Sequence, residues 1–123
     1  MFQVNEDKSI FLTRGDIAVI DVSASADGGE HFFSVGDVIR FKVFGKENTK
    51  NVLLSKDTSV TEETAVVTIS LTGKDTKIGG LINKPTDYWY EVELNPDSSP
   101  QTLIGYDEDG AKILKLFPEG GDA

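Results

Sequence analysis

Val35-Gly36-Asp37-Val38-Ile39-Arg40-Phe41-Lys42-Val43-Phe44-Gly45 is the stretch that decides the fold. Gly36 and Asp37 spell a turn, because glycine accepts positive φ and an aspartate carboxylate bonds nearby backbone amides. The alternation that follows, with Ile39, Phe41 and Val43 against Arg40 and Lys42, has a period of two and predicts a strand with one dry face. The same grammar occurs upstream, where Arg14-Gly15-Asp16 precedes the apolar run 17–22. That run is apolar at nearly every position, which predicts a central strand covered on both faces.

Two further alternations are as regular. Val67, Ile69 and Leu71 alternate with Thr68 and Ser70, and Tyr88, Tyr90, Val92 and Leu94 alternate with Trp89, Glu91 and Glu93. Less regular strands are expected at 9–12, 31–34, 52–56, 101–104 and 112–117, with an edge strand within 1–8. Reversals are expected at Asp27-Gly28-Gly29, at 95–100 and at Asp107-Glu108-Asp109-Gly110. No window carries a helical stripe; 75–83 allows one turn at most, because Gly79 and Gly80 each cost about 1 kcal/mol in a helix interior. The expectation is an all-β, antiparallel, immunoglobulin-like β-sandwich of about seven to nine strands. A single domain over 1–118 is followed by a flexible tail, 119–123, that has nothing to bury. Tyr88 or Tyr90, just after Pro85-Thr86-Asp87, is placed to form a tyrosine corner by bonding upstream backbone.

Composition narrows the partners. The 123 residues carry 21 acidic and 12 basic side chains and a net charge of −9, a field that repels phosphate backbones and anionic lipid surfaces. Neither nucleic acid nor a membrane is therefore expected as a ligand. No run approaches the ~18 apolar residues of a membrane span, and residues 1–7 lack the basic start and apolar centre of a signal peptide. The chain has no cysteine, which suits a reducing cytoplasm or an assembly independent of redox control, and disfavours a disulfide-stapled secreted module.

Candidate chemistry is sparse. Arg14-Gly15-Asp16 is the tripeptide of adhesion ligands, but between two strands it reads first as a turn. Asp107-Glu108-Asp109-Gly110 contains part of a calcium loop without the bidentate glutamate, so a solvated hairpin turn is the simpler reading. His31 is the only histidine, Ser23 and Ser34 lie in no nucleophile motif, and the carboxylate pairs Glu62–Glu63 and Glu91–Glu93 read as solvated charges. These residues predict no catalytic set, no metal and no cofactor; the chain is expected not to be an enzyme. Trp89 is the residue singled out as a possible interface, because alternation places its indole opposite Tyr88 and Tyr90. The plainer alternative buries it, either under the loop 79–84 or in the core. With no second exposed aromatic to extend a platform, a protein interface is the favoured use and carbohydrate the alternative.

The order of these motifs adds a resemblance. Ser9-Ile10-Phe11-Leu12-Thr13-Arg14-Gly15-Asp16, then Phe33-Ser34-Val35-Gly36-Asp37-Val38-Ile39-Arg40-Phe41, then Tyr88-Trp89-Tyr90-Glu91-Val92-Glu93-Leu94 and a closing strand at 113–117 resemble the amino-terminal domain of phage upper baseplate proteins, as encoded by prophages of gut Firmicutes. The resemblance implies a β-sandwich without catalytic activity that helps attach a receptor-binding apparatus to a tail. It implies protein partners or self-association, synthesis in the cytoplasm and a place in a phage particle. A carbohydrate- or surface-binding sandwich is the alternative function.

Overall fold

The structure is a computed structural model that describes residues 1–26 and 29–119, with backbone alone described at 24–26 and 29–31. Ten strands occur among the described residues: β1 Phe2–Val4, β2 Ile10–Thr13, β3 Ala18–Ala26, β4 Gly29–His31, β5 Val38–Gly45, β6 Asn48–Ser59, β7 Val66–Leu71, β8 Thr86–Leu94, β9 Gln101–Ile104 and β10 Lys112–Phe117. No helix occurs among those residues, and the segment 73–76 is a turn. None of the described residues belongs to a helix long and apolar enough to cross a membrane.

The strands form two unequal sheets. The larger runs β1-β2-β10-β8-β5-β6, with β9 also paired to β8; the smaller runs β4-β3-β7. Pairing is antiparallel except between β2 and β10, which run parallel. One edge of β8 is shared, by β10 along Thr86 to Tyr90 and by β9 along Val92 to Leu94. The chain is therefore an all-β sandwich, as the alternations predict.

One core joins the layers. Ile10 and Leu12, Leu114 and Leu116, Tyr90, Val92 and Leu94, and Ile39, Phe41 and Val43 point inward from the larger sheet. They meet Ala18, Ile20 and Val22 of β3 and Val67, Ile69 and Leu71 of β7, with Phe33, Val60 and Ile78 closing the ends. The three regular alternations are thus met: β7 repeats exposed-buried three times, β5 alternates through Val43, and β8 alternates from Tyr90, with Tyr88 half-buried against the core.

Both Gly-Asp pairs make turns. Gly15 and Gly36 have φ of 90° and 96°, values a side chain rarely tolerates. Asp37 Oδ2 accepts from the Ser34 amide at 2.9 Å while the Asp37 amide donates to the Ser34 carbonyl at 3.0 Å, so this aspartate closes its own turn. Around Gly15 the closure is tertiary. Thr76, fully buried, accepts from the Gly15 amide at 3.1 Å and donates to the Asp16 carbonyl at 2.7 Å.

Several expectations need correction. The run 17–22 is not covered on two sides: Ala18, Ile20 and Val22 are buried, but Ile17 is 73% and Val19 52% exposed. The smaller sheet has only three strands and nothing behind it among the described residues, so β3 is central in pairing and one-sided in burial. The strand expected at 31–34 lies earlier, at β4, with Phe33 forming an isolated bridge to Thr64. β6 is much longer than 52–56, and Leu53 is bulged out of register between the pairs Val43–Leu54 and Phe44–Val52. Of the reversal assigned to Asp27-Gly28-Gly29, Gly29 begins β4, while residues 27–28 and the last four of the tail, 120–123, lie outside the described residues. Glu119, counted with that tail, instead accepts a 3.3 Å hydrogen bond from Arg14.

Tyr90 bonds backbone, but not as a local corner. Its buried hydroxyl donates to the carbonyl of Lys8, in the turn between β1 and β2. Burial first, and then the charge of Asp7, push its pKa up to about 12. The bond ties the amino-terminal hairpin to the middle of the larger sheet.

Candidate functional site

The outward face of the larger sheet concentrates the exposed chemistry, and cross-strand register explains how. Ile113 of β10 pairs with Trp89 of β8, Trp89 with Phe44 of β5, and Phe44 with Val52 of β6. Directly opposed residues share a face, so these four side chains form one apolar row across the sheet. Phe44 is nearly covered and Trp89 is half-buried. Trp89 therefore faces outward, opposite Tyr88 and Tyr90, as alternation predicts.

Tyr106, just after β9, sets a second ring beside Trp89. The ring centroids are 6.2 Å apart, with planes inclined at 54°, and Tyr106 is 74% exposed. A second exposed aromatic thus extends the Trp89 surface, which corrects the expectation that none was placed to do so. Gly105 permits this approach: a Cβ there would stand 2.7 Å from Thr102 Cγ2 and 3.5 Å from Glu91 Cβ. Tyr106 escaped sequence reasoning because it lies in a connection without periodicity. The available signal was the small-then-aromatic pair Gly105-Tyr106 between a strand and an acidic reversal.

Beyond the apolar row the same face is charged. Lys42 Nζ lies 2.9 Å from Glu93 Oε1, 3.8 Å from Glu91 Oε1 and 5.9 Å from the centroid of the Phe44 ring. Burial, followed by the Glu93 charge and a hydrogen bond to Glu93, raises the Glu91 pKa, while Lys42 opposes the rise. One row further, Arg40 forks between Asp57, at 2.7 and 3.0 Å, and Asp97, at 2.9 and 3.2 Å. Its hydrogen bonds hold the Asp57 carboxyl below its ordinary pKa. At the other end Phe11 and Phe117 meet edge to face at 5.6 Å. Glu91 and Glu93, read from sequence as solvated charges, are thus part of a paired cluster beside Trp89.

The remaining candidates are dispersed. Arg14 is 9% exposed and donates to the Gly79 carbonyl and to Glu119, both at 3.3 Å, while Asp16 pairs with the amino terminus. The tripeptide is folded into the body and presents no arginine to a receptor. Asp107 accepts from Lys112 Nζ at 2.8 Å and from the Asp109 amide at 2.9 Å, so its carboxylate closes a turn and neutralises a buried lysine. The Lys112 hydrogen bond, then that of the amide, lowers its pKa. Among the described residues no three histidine or acidic side chains are grouped to hold a metal ion. Ser34 belongs to the Asp37 turn, and Glu62 and Glu63 are exposed beyond β6. The side chain of His31 lies outside the description.

Comparison of the chain with family models, curated proteins and solved structures returns no match.

Proposed function

We propose that this chain is a non-catalytic binding and assembly module whose working surface is the outward face of the larger sheet around Trp89. The observation that carries the reading is the registered row Ile113–Trp89–Phe44–Val52 with Tyr106 beside it. Tryptophan and tyrosine contribute much to binding when set on a rigid support, because they lose little side-chain entropy. The order β10–β8–β5–β6 facing β3–β7 supports the immunoglobulin-like reading of the sandwich. Together with the motif order, it supports a structural role in a phage tail, baseplate or related particle, with a protein partner or a second copy docked on the Trp89 face.

Sedimentation velocity across a concentration series tests this directly. The expected result is self-association, or co-sedimentation with a copurified virion protein, that Trp89→Ala weakens; strictly monomeric behaviour at high concentration with no such partner counts against it. Mass spectrometry of phage particles induced from the source organism should find the chain in the particle.

A second reading is favoured by one observation. Tyr106 gives Trp89 the neighbour that a carbohydrate platform needs.

A further inference from the structure

The Trp89 surface has features that select among ligand chemistries. Two aromatic faces stand 6.2 Å apart and inclined, one half-buried and one exposed. Glu91 lies two residues along β8 on the same face, a rise of about 7 Å, roughly the span of a six-membered ring with its outer substituents. Lys42 is tied to Glu91 and Glu93 on that face. An aromatic pair with carboxylates would suit a methylammonium group. The Lys42 ammonium opposes such a cation, however, and already lies 5.9 Å from the centroid of the Phe44 ring. Phosphate or carboxylate ligands are opposed by the two glutamates. What matches both an apolar ring face and a mixed row of acceptors and a donor is an uncharged polyol with one C–H face.

We propose that Trp89 and Tyr106, with Glu91, Glu93 and Lys42 beside them, form a subsite for a neutral pyranose. The sugar ring lays its C–H face on the aromatic surface, where apolar burial and weak C–H···π contacts hold it. Its hydroxyls donate to the Glu91 and Glu93 carboxyls and accept from Lys42 Nζ. The support is pre-organised: Trp89 sits on β8 between its cross-strand partners Ile113 and Phe44. Gly105 lets the connection after β9 pass close over Glu91, which sets Tyr106 in place.

This inference rests on the second, carbohydrate reading of the Trp89 face and specifies its ligand. The chain has one tryptophan, so its emission reports on the site without labels. The full chain is titrated with glucose, galactose, mannose, maltose, lactose and cellobiose, and with phosphocholine and sialic acid as charged comparators. A saturating emission change with at least one neutral sugar is expected, and none with the charged probes. Tyr106→Ala, a change at an exposed side chain, should weaken binding about tenfold, a loss of ~1.4 kcal/mol, and Glu91→Gln should weaken it without altering the melting temperature at pH 4.

Flat emission with every sugar up to about 10 mM, where even a millimolar ligand would fill most of the site, overturns the subsite. Equal affinity in wild type and Tyr106→Ala overturns it as well. If the sugars are silent but Trp89→Ala abolishes association in the ultracentrifuge, the pyranose is refuted and the working face stands. If both experiments are silent, both readings fall.

Discussion

The two sheets bury their inner faces alike and treat their outer faces differently. Ile20, Val22 and Ile69 are as dry as Ile39, Phe41 and Val92. Outside, β3 and β7 show Val19 and Val66 to solvent, with Ile17 exposed just before β3 and the 2.8 Å hydrogen bond from Thr68 to Asp21 across them. The larger sheet instead carries a row of rings and, next to it, rows of paired charges. Period-two patterning sorts residues into inside and outside, and does no more than that. What an outer face becomes depends on which strands are neighbours and how many there are. A three-stranded sheet has little width for a row, whereas β10, β8, β5 and β6 give Trp89 a supporting neighbour on each side.

The sharpest check is on what the sheets share. Phe41→Ala should cost about 3–5 kcal/mol and Ile69→Ala about 2–5 kcal/mol in chemical denaturation, since both side chains are fully enclosed in one core. A much smaller loss at Ile69 would mean that the smaller sheet is not an equal layer. Tyr90→Phe comes next, at about 1–2 kcal/mol, because the Lys8 carbonyl loses its buried donor. An unchanged midpoint would remove the tie between the amino-terminal hairpin and the larger sheet.

The outer faces are separated by a pair of milder substitutions. On alternation alone Lys42→Ala is expected to lie within about 0.5 kcal/mol, as for any wet-face residue. The structure raises this to about 1 kcal/mol, because removing the ammonium leaves two neighbouring carboxyls facing each other. Val19→Thr on the smaller sheet should stay within about 0.5 kcal/mol, as it changes only an exposed methyl. Equal effects at the two positions would erase the contrast.

The finest difference is in pH dependence. Glu91 binds its proton more tightly when folded than at its ordinary pKa of 4.5. The stability this contributes is fully present below 4.5 and is lost as pH rises through the raised folded value. Relative to Glu91→Gln, the wild type should therefore lose melting temperature as pH rises from 4 toward neutrality. The Asp57 carboxyl has the opposite sign: lowered by Arg40, it contributes stability above its ordinary value that disappears as pH falls through the folded one. Parallel melting curves for wild type and Glu91→Gln would show that folding does not tighten the hold of Glu91 on its proton.

Much of this was legible before any coordinates. The strands β5, β7 and β8, their buried sets and the two Gly-Asp turns follow from alternation and φ preference, because both act within a few residues. The direction of Trp89 followed too. The misreading of 17–22 has a plain cause: a run apolar at all but Asp21 is written much alike whether its second face meets another layer or water. Tyr106, and the placing of Glu91 and Glu93 around Lys42, were out of reach for a related reason. Neither depends on the residues next to it in the chain.

By itself, then, the sequence determined which residues face inward and where the chain turns. Side-chain direction alternates locally, and glycine relieves local sterics. Only the tertiary structure decided that Ile113, Trp89, Phe44 and Val52 share a row, that Tyr106 joins it, and that Lys42 sits between two glutamates. Strand neighbours and register are chosen by the burial of the whole core at once, and no short window of sequence contains that sum.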